Sequence, residues 1–82
     1  MSQFLDHVKT KYLLFSKSQK ENKKTYDIDI FNRDTQQKLG VIKWYPMWRQ
    51  YCFFPQNYDL VFSAGCLDDI SNYIKNLMKE RA

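Results

Sequence analysis

The sequence predicts an α+β fold in which a four-stranded antiparallel β-sheet, arranged as a meander, carries a C-terminal amphipathic helix on one face. Three observations lead to this prediction. Thr25–Asn32 alternates between apolar and polar side chains, as a half-buried strand does. Two runs rich in β-branched and aromatic residues, Leu39–Tyr45 and Trp48–Phe54, flank a short turn and indicate a β-hairpin. Between Cys66 and Met78 the apolar residues recur at helical spacing.

The chain has 82 residues, which suits a single domain spanning 1–82. The hairpin supplies the third and fourth predicted strands, after Lys11–Ser16 and Thr25–Asn32. Ahead of them, Ser2–Lys11 has apolar residues at spacings that also allow a short N-terminal helix. Short connections favour antiparallel neighbours, hence the meander.

The hairpin register depends on the length of its turn. With Pro46 and Met47 as the two central turn residues, the facing pairs are Tyr45 with Trp48, Trp44 with Arg49, Ile42 with Tyr51, and Gly40 with Phe53. A longer turn shifts this register by a residue or two. Gly40 lies inside a strand, which indicates a bulge or the close approach of a backbone or a bulky ring.

The C-terminal helix has the most consistent local signals. Its apolar stripe consists of Cys66, Leu67, Ile70, Tyr73, Ile74, Leu77 and Met78. Ser63 is a suitable N-cap, and the helix macrodipole favours Asp68 and Asp69 near the start and Lys75, Lys79 and Arg81 near the end. Such a stripe is typical of a helix that packs on a sheet.

Alternation divides the hairpin into two apolar faces. One face is expected to present Gly40, Ile42, Trp44, Arg49, Tyr51 and Phe53, and the other Leu39, Val41, Lys43, Tyr45, Trp48, Gln50, Cys52 and Phe54. One helix covers one face, so the other face binds a ligand, forms a homodimer, or is covered by the N-terminal segment. These alternatives are open at the level of sequence, as is the side that the helix takes.

Thirteen Lys and Arg against nine Asp and Glu give a net charge of +4, which makes polyanions plausible partners. Four lysines, Lys17, Lys20, Lys23 and Lys24, crowd one polar segment, Lys17–Lys24. This segment is either a flexible solvated loop or an arm that contacts phosphates.

Catalysis, metal binding and cofactors find no support in the sequence. His7 is the only histidine, and Cys52 and Cys66 lack the spacing of a zinc site. Asp27 and Asp29 share one strand face, where solvation explains them better than an acid–base pair does. We therefore expect a non-enzyme without a cofactor. No apolar run is long enough for a membrane span, so we expect a cytoplasmic protein with reduced thiols.

Aromatic rings interleaved with cations on an open sheet suit single-stranded nucleic acid or a nucleotide, because rings stack on bases and cations meet phosphates. The candidate binding residues are Lys43, Trp44, Tyr45, Trp48, Arg49 and Tyr51. The competing explanation is an ordinary aromatic core with Arg49 stacked on Trp44 as a cation–π pair.

The second half of the chain also resembles a group of proteins. Leu39–Tyr45 and Trp48–Pro55, with a W-x-x-x-W-R-x-Y-x-F-x-P pattern, followed by Val61-Phe62 and Cys66–Ile70, are similar to small uncharacterised proteins encoded by bacteriophages and bacterial genomes. The first 38 residues carry no such likeness. The resemblance implies a phage-related origin and adds an alternative function, which is to bind and inhibit a host protein or defence system in the host cytoplasm. Trp, Tyr and Arg suit a protein interface as well as a nucleic acid.

Overall fold

The computed structural model describes residues 3–19, 24–57 and 59–81. Within them lie six elements: β1 (Gln3–Lys9), β2 (Leu13–Gln19), β3 (Asp27–Asn32), β4 (Lys38–Tyr45), β5 (Gln50–Pro55) and α1 (Ala64–Arg81). The five strands form one sheet in the order β1-β2-β3-β4-β5, and each strand is antiparallel to the next. The architecture is an α+β meander with one C-terminal helix.

The prediction of four strands is wrong, because the segment that allowed an N-terminal helix forms strand β1 along β2. The register passes from the pair Phe4–Ser18 to the pair Asp6–Lys17, so Leu5 is an extra residue at a bulge. A bulge interrupts the two-residue alternation and leaves apolar residues at spacings that resemble a helix. A lone helix of this length is marginal in water, whereas β2 offers an edge with unpaired backbone groups.

The segment Lys17–Lys24, which the sequence predicted to be a loop or an arm, belongs partly to strand β2. Lys17 to Gln19 continue β2, and only the remainder connects β2 to β3. Lys20 and Lys23 lie outside the described residues. The ammonium of Lys17 lies 4.3 Å from the centre of the Tyr26 ring and 3.4 Å from a carboxylate oxygen of Glu80. These contacts tie Lys17 to the end of α1, so it is part of the packed structure rather than of a solvated loop.

The hairpin turn has four residues, Pro46 to Arg49, instead of the two that were predicted. The amide of Trp48 donates to the carbonyl of Tyr45 at 3.2 Å, and that of Arg49 to the carbonyl of Pro46 at 3.2 Å. The observed pairs are Tyr45 with Gln50, Trp44 with Tyr51, Ile42 with Phe53, and Gly40 with Pro55. The predicted register is therefore wrong by two residues. A shift by two residues keeps a strand side chain on its own face, so the predicted faces hold for the strand residues of the hairpin except Leu39, whereas Trp48 and Arg49 lie in the turn.

The helix packs on the face that contains Ile42, Tyr51 and Phe53. The buried core consists of Leu13, Phe15, Ile28, Ile30, Leu39, Ile42, Tyr51, Ile70 and Leu77. Tyr73 of α1 stacks on Phe15 of β2, with ring centres 4.7 Å apart and an angle of 8° between the planes. Ser63 is the N-cap as predicted, since its hydroxyl accepts from the amide of Cys66 at 3.3 Å. Leu67, assigned to the buried stripe, is 51% exposed.

Gly40 is confirmed as a point of close approach and of irregular pairing. A methyl group there would lie 2.5 Å from the carbonyl oxygen of Phe54 and 2.7 Å from the Phe53 ring. The register also shifts between Ile30 and Phe31, which pair with Gly40 and Lys38 and leave Leu39 as the extra residue of β4. That bulge explains why Leu39 belongs to the core and not to the face of Val41, where it was predicted.

We expect Gly40→Ala to lower the free energy of unfolding by about 1–3 kcal/mol, because the methyl group forces a rigid backbone and a packed ring apart. Urea denaturation followed by far-UV circular dichroism measures this change. Gly65→Ala is the matched control, since its methyl group meets only ordinary contacts at 3.9 Å within the first turn of α1. The control should be neutral or raise stability by up to about 1 kcal/mol. Equal stability of the Gly40→Ala variant and the wild type would contradict this description of the hairpin.

Candidate functional site

The sheet face that α1 does not cover is named here the open face. The register places on it Leu14, Ser16 and Ser18 of β2, Asp27, Asp29 and Phe31 of β3, Val41, Lys43 and Tyr45 of β4, and Gln50, Cys52 and Phe54 of β5. Most of these side chains are half-buried by their own neighbours in the sheet. The helix therefore takes the face of Ile42, Tyr51 and Phe53, and the open face is the candidate site.

The six predicted binding residues do not lie together. Tyr51 is 4% exposed in the core, where its hydroxyl accepts from the amide of Tyr26 at 3.3 Å. Trp44 packs edge-on against Tyr51, with ring centres 5.4 Å apart, on the helix side. Tyr51, and not Arg49, lies opposite Trp44. The other four, Lys43, Tyr45, Trp48 and Arg49, lie on the open face or in the turn that ends it.

Four side chains at the end of the hairpin form one cluster, the tip cluster, which consists of Lys43, Tyr45, Trp48 and Phe54. Tyr45 is the central ring: its centre lies 5.0 Å from that of Trp48 and 6.0 Å from that of Phe54, both edge-to-face. Pairs of this kind contribute about 0.5–1.5 kcal/mol beyond their buried area. The ammonium of Lys43 lies 4.6 Å from the centre of the Phe54 ring. Trp48 is nevertheless 66% exposed, so much of its ring remains accessible.

A shallow depression of about 280 Å³ opens beside this cluster, lined by Tyr45, Trp48, Cys52, Phe53 and Phe54. Sites for drug-sized ligands are clefts of about 300–1,000 Å³ that enclose most of the ligand. This smaller and more open hollow suits one flat ring laid against aromatic side chains. Phe54 was missing from the predicted site, although the alternation that placed Lys43 and Tyr45 on this face placed Phe54 there too.

The half of the open face formed by β3 and the adjoining side of β4 has a different character. A second depression, of about 350 Å³, is lined by Ser18, Asp27, Asp29, Lys38, Val41 and Lys43. Lys38 and Asp29 form an ion pair at 3.3 Å. The open face thus has an aromatic half with a lysine and a charged half in which two aspartates lie beside Lys38.

Antiparallel connectivity places the β2–β3 connection at the same end of the sheet as the turn between β4 and β5. Lys24, the described lysine of that connection, lines a hollow with Tyr26, Tyr51, Leu77 and Glu80, so it lies on the helix side of the sheet. Lys24 therefore shares an end of the sheet with Trp48 but not the open face.

The described part of the chain has neither a metal-binding cluster nor a helix that could span a membrane. Over residues 3–19, 24–57 and 59–81, the His, Cys, Asp and Glu residues form no group of three or more that could hold a metal ion. Cys52 and Cys66 are free thiols, each half-buried. In the same ranges, no helix combines the length and the apolar character needed to cross a bilayer.

The fold defines a small α+β domain in which α1 covers one face of the sheet and no other described element covers the open face. The chain belongs to the same family as a protein of Acholeplasma phage L2 named "Uncharacterized 9.3 kDa protein", with which it is 42% identical over 77 residues. That similarity covers 94% of this chain and 97% of the phage protein. It therefore extends well into the first 38 residues, which the motif-based resemblance had left out. No family model matches the chain. No solved structure matches it either.

Arg49 has a left-handed backbone conformation, with φ of 52°. This conformation costs an L-residue about 1–2 kcal/mol, whereas glycine adopts it freely but loses about 0.5–1 kcal/mol in chain entropy. We expect Arg49→Gly to raise the free energy of unfolding by about 0.5–1 kcal/mol, measured by urea denaturation. Gln50→Gly, one residue further on and inside β5, is the control and should lower stability by a similar amount. A destabilised Arg49→Gly variant would mean that the arginine side chain contributes more than its backbone conformation costs.

Proposed function

We propose that this protein is a small non-enzymatic binding protein that holds single-stranded nucleic acid or a nucleotide against the tip cluster and Arg49. The observation that carries the proposal is Trp48, which is 66% exposed while Tyr45 supports its ring from the side at 5.0 Å. A large aromatic ring held in one orientation and left open to solvent is a stacking platform. Stacking of a base on such a ring contributes about 1–3 kcal/mol.

The surrounding charges support the same proposal. Lys43 carries its ammonium over the Phe54 ring at 4.6 Å, so the cation lies beside the apolar platform rather than far from it. Arg49 follows Trp48 directly in the turn. A base stacked on Trp48 places its phosphates within reach of these cations. The net charge of +4 adds a general attraction for polyanions.

Each residue then has a defined role. Trp48 stacks on a base, Tyr45 and Phe54 hold its ring and form the floor of the adjacent hollow, and Lys43 and Arg49 neutralise phosphates. Trp44 and Tyr51 act indirectly, because they pack the helix side of the same two strands. The relative is a phage protein, and we propose that the activity takes place in the cytoplasm of a host cell.

A second function, the binding of a host protein, is supported by one separate observation. Met47 and Trp48 are adjacent in the turn and are 80% and 66% exposed, which makes a protruding apolar tip. Exposed aromatic residues with a neighbouring arginine are typical hot spots of protein interfaces. In this version Met47 is as important as Trp48, whereas stacking on bases does not require it.

Trp fluorescence tests the nucleic-acid proposal directly, because the two tryptophans lie on opposite sides of the sheet. In Trp44→Phe the remaining indole is Trp48, and we expect a single-stranded oligonucleotide to quench its emission. In Trp48→Phe the remaining indole is Trp44, and we expect little quenching. Trp48→Ala should weaken binding roughly 5- to 150-fold, which corresponds to the loss of one stacked base. Quenching confined to Trp48→Phe, or none in either variant at low salt, would refute the proposal.

Salt dependence tests the phosphate contacts. For single strands, the logarithm of the binding constant falls with the logarithm of salt concentration with a slope of about −0.7 per phosphate neutralised. We expect Lys43→Ala and Arg49→Gly each to reduce the steepness of this slope by about 0.7. Lys79→Ala, an equal loss of charge on the exposed side of α1, is the control and should leave the slope nearly unchanged. A mononucleotide titrated in parallel shows whether one nucleotide is enough for binding or a longer strand is needed.

The host-protein alternative predicts a different pattern. A host protein should then be retained on immobilised wild type but not on Met47→Ala, while oligonucleotide binding is absent. The prediction of a homodimer is a separate matter, and sedimentation equilibrium of the free protein checks it.

A further inference from the structure

The end of the sheet opposite the tip cluster carries a second group of cations beside an aromatic ring. Strand β4 runs from Lys38 to Tyr45, so at about 3.3 Å per residue the β3–β4 turn lies about 23 Å from the hairpin turn. Antiparallel pairing places the β1–β2 turn at the same end as the β3–β4 turn. The two turns and the end of β1 carry four exposed residues, named here the basic end: Lys9, Lys11, Tyr12 and Arg33.

Hydrogen bonds join the two turns of the basic end. The amide of Arg33 donates to the carbonyl of Tyr12 at 2.9 Å, and Nη1 of its guanidinium donates to the carbonyl of Thr10 at 3.0 Å. The side-chain bond engages one of the five N–H groups of a guanidinium and fixes its orientation, so the other N–H groups are available to an acceptor. An arginine that is oriented before binding loses less conformational freedom when it meets a phosphate.

Each of the two turns is also closed by a side chain of its own. In the β1–β2 turn, the hydroxyl of Thr10 accepts from the amide of Leu13 at 3.1 Å. In the β3–β4 turn, the carboxamide oxygen of Asn32 accepts from the amides of Asp34 and Thr35 at 2.9 and 3.0 Å. The cations of the basic end therefore project from turns with a defined conformation.

The positive charges of the basic end are not compensated by ion pairs. The lysines that form ion pairs within residues 3–19, 24–57 and 59–81 are Lys17 and Lys38. The three cations of the basic end form none there. Asp34 follows Arg33 in the chain but forms no ion pair with it, and one carboxylate against three cations leaves a net positive charge. Unpaired cations that converge from two turns attract a polyanion.

Tyr12 adds an aromatic surface to these charges. Its side chain is 45% exposed, and the ammonium of Lys11 lies 5.3 Å from the centre of its ring. The tip cluster combines the same two features, an exposed ring and a lysine held beside an aromatic side chain. Single-stranded nucleic acid requires this combination, because its bases stack on rings while its phosphates meet cations.

We propose that the basic end is a second contact for single-stranded nucleic acid, in which Arg33, Lys9 and Lys11 bind backbone phosphates and Tyr12 stacks on a base. The proposal rests on the function proposed above for its class of ligand, but none of its residues belongs to the tip cluster. It adds a dependence on length. With about 23 Å between the two ends, a mononucleotide occupies one of them, whereas a longer strand contacts both and gains affinity from the second contact.

The first test removes a charge from the basic end without touching the hydrogen bonds of its turns. At about 50 mM salt, we expect Lys11→Gln to weaken binding of an oligothymidylate of about ten nucleotides about eightfold, the factor that a slope of 0.7 produces between 1 M and 50 mM salt. The salt slope itself should become less steep by about 0.7. Lys75→Gln, an equal change of charge on the exposed side of α1, is the control and should alter neither quantity by as much. Quenching of Trp48 by a mononucleotide, measured in the Trp44→Phe variant, should be insensitive to Lys11→Gln.

The second test concerns the ring. Tyr12→Phe keeps the aromatic surface and should bind as the wild type does. Tyr12→Ala removes the surface and should weaken binding about fivefold, the lower end of the range for one stacked base, because part of the ring is covered. The melting temperature of each variant shows whether the fold is intact. If Tyr12→Ala does not fold, Lys11→Gln decides the question, since that lysine is exposed and forms no hydrogen bond among the described residues.

The outcomes separate the basic end from the tip cluster. If the wild type binds no oligothymidylate at low salt, both proposals fail. If it binds through Trp48 but Lys11→Gln and Lys75→Gln behave alike, the tip cluster stands and the basic end is refuted. If Trp48→Ala retains part of the affinity and Lys11→Gln removes what is left, the basic end binds nucleic acid independently of the tip cluster.

Discussion

The packing of α1 across one face of the sheet is the constraint on which the rest of the structure depends. A five-stranded meander alone has two exposed faces, and a single helix supplies enough apolar surface to cover one of them. Ile70 and Leu77 enter the core from the helix, and Tyr73 lies flat on Phe15 at 4.7 Å. Once this face is covered, the composition of the opposite face becomes meaningful, because its exposed rings have no further element of the described chain to pack on.

The side chains of the open face differ between strands: aromatic rings lie on β4, β5 and their turn, and carboxylates lie on β3. The aromatic residues lie at the β4–β5 end, where the four-residue turn extends beyond the sheet and brings Trp48 against Tyr45. The carboxylates lie on β3, and one of them holds Lys38. The exposed ring of Trp48, which lies against Tyr45 at the end of the hairpin, is the physical link between the hairpin geometry and the proposed function.

Much of the architecture could be predicted from local patterns. The alternation of Thr25–Asn32, the N-cap at Ser63 and the stripe of α1 depend on near neighbours, and each corresponds to an observed element. The first strand could not be recognised in this way, because the bulge at Leu5 breaks its alternation and only pairing with β2 makes it a strand. The length of the hairpin turn could not be predicted from the sequence either, because hydrogen bonds from the amides of Trp48 and Arg49 decide where β5 begins. The two-residue error did no harm to the assignment of faces because strand side chains alternate with a period of two.

For the candidate site, the sequence by itself determined that Lys43, Tyr45 and Phe54 share one face of the hairpin, whereas the bulge that moves Leu39 to the other face came only from pairing with β3. The sequence also indicated either a bulge or a close approach at Gly40, and the structure shows the close approach of the Phe54 carbonyl and the Phe53 ring. Only the tertiary structure decided which face the helix covers, and so placed Tyr51 in the core and left Trp48 exposed. The reason is physical: both hairpin faces are apolar enough to be buried, and the choice depends on the twist and connection of the whole sheet with α1, which no local pattern encodes.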